Sequence, residues 1–336
     1  MKLRDFYKAA VAAGMAADPR GKEGVQEWLE LRRKKYEGLK GDAKEYFDTE
    51  SLENPFGDTR ILNGTGDEDI RRVLVGIDID AGEVVLADRL RERGQKVDLV
   101  LAHHPSGRAL GNLHEVMGMQ ADILAAFGVP ISAAEDLMDS RAKEVERRLM
   151  PGNHTRASDA ARLLGIPLMC THTPADNHVH RFLQESVDRE KPRRLGDVVD
   201  LLQAIPEYQE GARQGAGPRI LLGDRDRKAG KVLVSMTGGT SGNKKLLENL
   251  ASSGVNTLVE MHMSDEHRDE AKKFHVNVII AGHIASDTIG MNLMLDSIVR
   301  AAGHPIEVID CSGFVRYSRL ATARSGKSTG KPRTRR

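Results

Sequence analysis

The sequence predicts an α/β fold, on three observations. Short apolar runs that read as buried strands recur along the chain, at Val73–Ile77, Val97–Ala102, Pro167–Thr171, Val232–Met236, Thr257–Met261 and Val276–Ala281. Amphipathic helical stretches separate them. The short spacing of strand, helix and strand implies right-handed parallel crossovers. The 336 residues exceed one small core and suit two subdomains, or one large α/β unit with extensions.

Each element follows from local signals. Residues 1–48 read as helices, because Phe6, Ala10, Ala13 and Met15 are roughly helix-spaced and Trp28, Leu29, Leu31 and Tyr36 sit among dense charge. Pro19 and Gly21 separate the two segments. A loop rich in Asn, Gly, Asp and Pro runs from Ser51 to Asp69, so residues 1–69 read as a helical N-terminal extension. The first strand ends at Asp78 and Asp80. Val84 to Arg93 forms a helix that Gly94 stops, and Val97–Ala102 is the next strand. Helices follow over His114–Phe127, Ala133–Met150 and Ala157–Leu164, broken at Gly128-Val129-Pro130 and at Pro151-Gly152-Asn153-His154. After the strand at Pro167–Thr171, residues 178–205 look helical and Glu210–Pro218 reads as a Gly-rich connection. The second half repeats the rhythm, with helices at Lys244–Ser253, Asp265–Phe274 and Ile289–Ala302 and a late strand at Ile306–Ile309.

Composition excludes several classes. With 50 basic and 49 acidic side chains, no global field argues for nucleic acid or membrane. No apolar run approaches the ~20 residues of a membrane helix. The N-terminal residues alternate charge with small apolar side chains and lack the apolar core of a signal peptide. The two cysteines, Cys170 and Cys311, are too few for a disulfide framework. A reducing compartment, the cytoplasm, is the expectation. The final segment, ATARSGKSTGKPRTRR (321–336), carries six basic side chains and no acid, and reads as a disordered tail. It offers at most weak phosphate contacts to nucleic acid.

The chemistry concentrates at three strand ends. His103-His104-Pro105 closes an apolar run. Neighbouring strand residues point to opposite faces, so both imidazoles reach one site only where the strand stops, and Pro105 supplies the stop. Thr171-His172-Thr173-Pro174-Ala175-Asp176 follows a second run; Asp176 reads either as a helix N-cap or as a ligand able to bridge cations. His172 on the same segment reads as a supporting partner or proton carrier, while His178 and His180 fall on the following helix. Gly282-His283-Ile284-Ala285-Ser286-Asp287 follows a third run, and a helix beginning near Gly282 places His283 and Asp287 on one face. Three histidines and two carboxylates suit Zn, Mn, Fe, Co or Ni. Five protein ligands exceed what one catalytic ion needs, and two ions about 3.5–4 Å apart are the natural reading.

Two further features are open at this point. Thr237–Gly242 reads either as a phosphate cradle or as close strand–helix packing, and it lacks the Walker spacing. Glu260, at another strand end, reads as a general base or as a structural charge. Asn153-His154, Gly223-Asp224 and Gly282-His283 superficially match metallophosphoesterase signatures. Their order is wrong for that family, and the last segment lacks the second histidine.

The ordered set VDLVLAHHP, CTHTPADN and VIIAGHIASD resembles the NIF-three-like dinuclear-metal family, often labelled GTP cyclohydrolase I type 2 homologues. RRVLVGIDID fits its opening, and KVLVSMTGGTSG with NTLVEMHMSDEHRDEAKKFHVNVIIAGH fits its closing half, so the likeness covers roughly residues 70–318. The resemblance implies a two-lobed, three-layer α/β subunit. The first lobe would be residues 70–205, with an inserted helical segment near 130–160, and the second residues 206–320. It also implies two divalent ions held by His103, His104, Asp176, His283 and Asp287, and a hexameric ring. Three departures stand out: Asp287 where the family usually has glutamate, the long gap between His104 and Asp176, and the N-terminal extension. Two functions follow as expectations. One is a metal-dependent hydrolase, cyclohydrolase-like or phosphoesterase-like, acting on a nucleotide or other small substrate. The alternative is a non-catalytic metal-binding assembly or regulatory protein acting through partners.

Overall fold

The computed structural model describes residues 1–320; the expected basic tail, 321–336, lies outside them. The N-terminal part comprises α1 (Leu3–Ala17), α2 (Gly21–Gly38), α3 (Asp42–Glu45) and β1 (Arg60–Asn63). There follow β2 (Arg72–Gly76), α4 (Ala81–Glu92), β3 (Leu99–Ala102), α5 (Gly107–Gly111), α6 (Met119–Ala126), α7 (Ile131–Leu149), α8 (Arg156–Leu164) and β4 (Leu168–Cys170). Helices α9 (Thr173–Glu190), α10 (Leu195–Gln203) and α11 (Pro206–Arg213) lead to β5 (Arg219–Leu222) and β6 (Lys231–Ser235). The chain closes with α12 (Leu246–Ser252), β7 (Val255–Glu260), α13 (Asp265–Lys273), β8 (Asn277–Ile280), α14 (His283–Ala302) and β9 (Glu307–Cys311).

Two sheets result, ordered β1-β4-β3-β2-β9 and β5-β8-β7-β6. In each, one antiparallel edge strand, β1 or β5, flanks parallel strands. Helices cover both faces, as buried parallel strands require. Leu74, Val100 and Leu168 on one face of the first sheet meet Val84 and Ala87 of α4 and Ala157 and Ala161 of α8. Val73, Val75 and Leu101 on the other meet Leu3 and Phe6 of α1 and Met294 and Leu295 of α14. The second sheet turns Val234, Val259 and Ile279 toward Val179 and Leu183 of α9 and Ile289 of α14. Each lobe is therefore three layers, and the two lobes share α9 and α14 as a common middle layer.

Four details differ from the sequence reading. The 51–69 loop contains β1, and the 210–218 connection is helical as far as Arg213 and precedes β5. Both missed strands are short edges, so little burial marks them. The late strand β9, assigned by sequence to the second lobe, pairs with β2 in the first sheet. The inserted helix α7, assigned to the first lobe, turns Ala134, Met138 and Val145 onto the outer face of the second sheet, with Leu233, Leu258 and Leu246.

Candidate metal centre

The two carboxylates sit at matching places. Strand β4 feeds α9 and strand β8 feeds α14, and each helix opens on a His-x-x-x-Asp pair: His172 and Asp176, His283 and Asp287. The i, i+4 spacing turns both members toward one side of the first turn. Asp176 is not the N-cap. Helix α9 begins at Thr173 with Pro174 in its first turn, several residues before the expected start, and Asp176 already lies within it. Gly282 makes the turn ahead of His283 at φ +110, where a Cβ would meet the Ala216 carbonyl oxygen at 2.4 Å. The two helices cross closely at Gly290, which faces Ala175.

His103 and His104 lie just past the end of β3, and their amides donate to the carbonyls of Gly76 and Ile77. Both rings turn the same way, with centroids 5.0 Å apart. Asp287 is the hub. Its Oδ1 lies 3.5 Å from His103 Nε2, and its Oδ2 lies 3.4 Å from both His104 Nε2 and His283 Nε2. Asp176 Oδ1 lies 3.4 Å from His103 Nε2. Two donor groups thus share one carboxylate: His103, Asp176 and Asp287, and His104, His283 and Asp287. A third group joins His103, His104 and His172.

The opposite nitrogens are held from behind. His103 Nδ1 meets the Thr171 carbonyl at 3.2 Å, His104 Nδ1 meets Asp78 Oδ1 at 2.7 Å, and His172 Nδ1 meets Asp58 Oδ2 at 2.9 Å. For His103 and His104 such contacts fix the tautomer that leaves Nε2 with its lone pair toward the site. His103 Nε2, Asp176 Oδ1 and both Asp287 oxygens are buried with no hydrogen-bond partner. Buried polar atoms are ordinarily satisfied, and those left over here are electron-pair donors aimed at one another. That is the donor set a divalent cation takes.

Electrostatics agree. Burial pushes Asp176 up to about 8, only partly offset by His172, so it needs added positive charge to ionise fully at neutral pH. Burial also opposes ionisation of Asp287, but His103, His104 and His283 hold it well below the usual carboxylate range. Burial pushes His103 down to about 4, which keeps it a neutral ligand. His172 is different: burial lowers it, yet Asp176 and Asp58 outweigh that and raise it to about 9.

The centre opens into a cleft of about 290 Å³, walled by Leu113 and Gln120 on one side and Met236, Glu260 and His262 on the other. Neither protein-family models nor curated proteins match the chain in sequence. A solved NIF3 superfamily protein from Sphaerobacter thermophilus superposes over 86% of this chain and 98% of its own, with a TM-score of 0.66 and 27% identity. The chain has a NIF3-like fold. Reduced HcgD from Methanocaldococcus jannaschii matches over 80% of the NIF3-like chain and 94% of its own, at 14% identity and a TM-score of 0.49. A Bacillus cereus protein related to NIF3 matches over 89% and 97%, at 13% and 0.41.

In this NIF3-like chain all five residues singled out as ligands by sequence meet at one place, and the shorter Asp287 still touches three histidines. Asp58 escaped the sequence reading. It is fully buried, holds His172, and accepts from Thr173 Oγ1 at 2.6 Å. It lies in an irregular segment before β1, where no periodicity marks a buried acid. His262 also joins the cleft, its ring 4.8 Å from that of His283. Glu260 ends β7 at the cleft wall and is raised to about 7 by burial. The Thr237–Gly242 turn is a packed loop. Gln120 donates to the carbonyls of Gly238 and Thr240, and Arg141 to that of Ser241. The look-alike residues serve turns: Asn153 accepts from Thr155 and Asp224 from Arg227.

Proposed function

We propose that this protein holds two divalent metal ions (Zn, Mn, Fe, Co or Ni) and acts as a metal-dependent hydrolase on a nucleotide or other small phosphorylated or cyclic substrate. Under this reading His103 and Asp176 would hold one ion and His104 and His283 the other, with Asp287 common to both donor groups. The observation that carries it is the set of buried, partnerless Nε2 and Oδ atoms converging around Asp287. The open cleft beside them, lined by apolar side chains with a few convergent polar groups, favours a small-molecule reaction over an inert structural site. A bound divalent pair supplies Lewis acidity and lowers the pKa of a water to be used as nucleophile.

The chain's own residues supply the rest. His172, with Nδ1 fixed on Asp58, presents Nε2 toward the cleft 3.7 Å from Asp176 Oδ2. It is the proton donor in this reading. Glu260, on the facing wall and poised near neutrality, is the second proton carrier. Cys170 and Cys311 are unpaired, in keeping with action in the cytoplasm. Among the described residues no helix is long and apolar enough to cross a membrane. A ring of identical subunits is part of the same proposal.

Metal analysis of protein purified without added metal tests the centre, and a screen of nucleotides and phosphoesters tests the chemistry. About two ions per chain, and turnover lost in His104→Ala, are expected. Less than one ion, with no rise on reconstitution, overturns the reading. Full metal loading with no turnover across the screen moves the weight to the non-catalytic alternative.

A further inference from the structure

The two lobes repeat one arrangement. Across each sheet an antiparallel edge strand is followed by three parallel strands, β1-β4-β3-β2 in the first and β5-β8-β7-β6 in the second. Their registers match. Ala102 of β3 pairs with Gly76 of β2 and Cys170 of β4, and Glu260 of β7 pairs with Ser235 of β6 and Ile280 of β8. His104 stands two residues past Ala102, and His262 stands two residues past Glu260. His262 therefore holds in the second lobe the place that His104 holds in the first. We propose that His262 is a further ligand of the centre and binds the ion assigned to His104, His283 and Asp287. This rests on the two-ion reading above.

Ring spacing agrees. Two imidazoles on one tetrahedral ion, with Zn–N about 2.0–2.1 Å, have centroids about 5 Å apart. The centroids of His104 and His283 are 5.1 Å apart, and those of His262 and His283 are 4.8 Å apart. His262 borders the same cleft as His104, His283 and Asp287. Its ring is exposed and makes no hydrogen bond among the described residues. It stands beside the His104, His283 and Asp287 group rather than within it. Joining the group asks for a rotamer change of one unrestrained side chain, which is fast in an exposed residue.

The assignment makes the two ions unequal. The second then has four protein donors, the number of a closed tetrahedral site, while the first keeps His103, Asp176 and Asp287 and an open position. Chemistry falls to the first ion, next to His172, whose Nε2 lies 3.7 Å from Asp176 Oδ2. His103 and His104 are fixed through Nδ1 by the Thr171 carbonyl and by Asp78. His262 has no such group behind it. Its removal therefore weakens the second ion and leaves the buried donors in place.

Cadmium, standing in for zinc, tests this in the full-length protein. The histidine ring nitrogens are isotope-labelled, and a nitrogen bonded to NMR-active cadmium shows a scalar coupling to it. Couplings are expected at His262 as well as at His104 and His283, the first identified by its loss in His262→Ala. A competitive chelator titration of that variant should find one of the two ions held at least about ten-fold more weakly, since even the loss of a group that supports a ligand costs about 10–100-fold. Loaded protein with couplings at His104 and His283 but none at His262 overturns the proposal and leaves the two-ion reading. So does a His262→Ala protein that holds both ions as tightly as the wild type. No cadmium retained, and no coupling at any of the three histidines, overturns the two-ion reading and this proposal with it. If His262→Ala does not fold, the wild-type couplings decide by themselves.

Discussion

Replacing Gly290 by alanine probes how the fold holds its two carboxylates together. Gly290 lies on α14, three residues after Asp287, and faces Ala175, the neighbour of Asp176 on α9. A Cβ there would stand 2.3 Å from the Ala175 carbonyl oxygen and 2.8 Å from its carbonyl carbon. Contacts under 3.0 Å are essentially never observed, so the helices must part by roughly 0.7 Å. The obstacle is backbone, and no side-chain rotation relieves it. Two effects oppose each other in stability. Alanine favours the helix by about 1 kcal/mol, and overpacking a close crossing costs about 1–3 kcal/mol. The net loss is about 1 kcal/mol, a fall in Tm of roughly 1–2 °C for a chain of 336 residues. The effect on the site is larger, because a constellation of ligands tolerates displacements of only about 0.5 Å. Metal affinity should fall at least about ten-fold. A competitive chelator titration and a thermal melt measure both quantities. Gly82→Ala is the control, since nothing lies within 4 Å of its added Cβ, and it should gain up to about 1 kcal/mol. If Gly290→Ala behaves like that control, more stable and with unchanged metal affinity, the close crossing does not set the carboxylate spacing.

Three further outcomes are expected. His104→Ala should lower bound metal from about two ions per chain to about one or fewer by elemental analysis, because His104 faces Asp287 from one side and Asp78 from the other. Asp58→Asn should bring the His172 pKa down from about 9 by at least about one unit in NMR titration of metal-free protein; an unmoved pKa removes Asp58 as the group that holds it. Glu260→Gln should flatten the pH dependence of stability between about pH 4.5 and 7. The sign follows from burial. The folded pKa lies above the ordinary carboxylate value, so the folded state binds the proton more tightly, and stability is fullest below about 4.5 and declines as pH rises toward 7. The wild-type slope over that window should exceed the variant's by at most about 1.4 kcal/mol per pH unit in chemical denaturation.

Local pattern carried the central strands and the ligand residues. Val73–Ile77, Val97–Ala102 and Val276–Ala281 are dense apolar runs because parallel strands are buried on both faces. Edge strands lack that mark: Arg60-Ile-Leu-Asn is half-buried beyond Arg60, Arg219-Ile-Leu-Leu exposes one side, both border irregular segments, and both were hidden. The helix start was late at α9, since Thr173-Pro174 looks like loop until the packing of the middle layer fixes it as a first turn, whereas at α14 the start near Gly282 held. The His-x-x-x-Asp spacing was visible at both places.

By itself the sequence determined the α/β class, the alternation of strands and helices, and which histidines and aspartates stand at strand ends. These are properties of neighbours along the chain, and periodicity and turn chemistry record them. Only the tertiary structure decided that α9 and α14 form one layer between two sheets, that α7 crosses onto the far lobe, and that β9 returns to the near one. It alone brought Asp58 to His172 across 114 positions and centred three imidazoles on Asp287. Contacts between distant segments depend on how whole surfaces fit, and no local pattern encodes them.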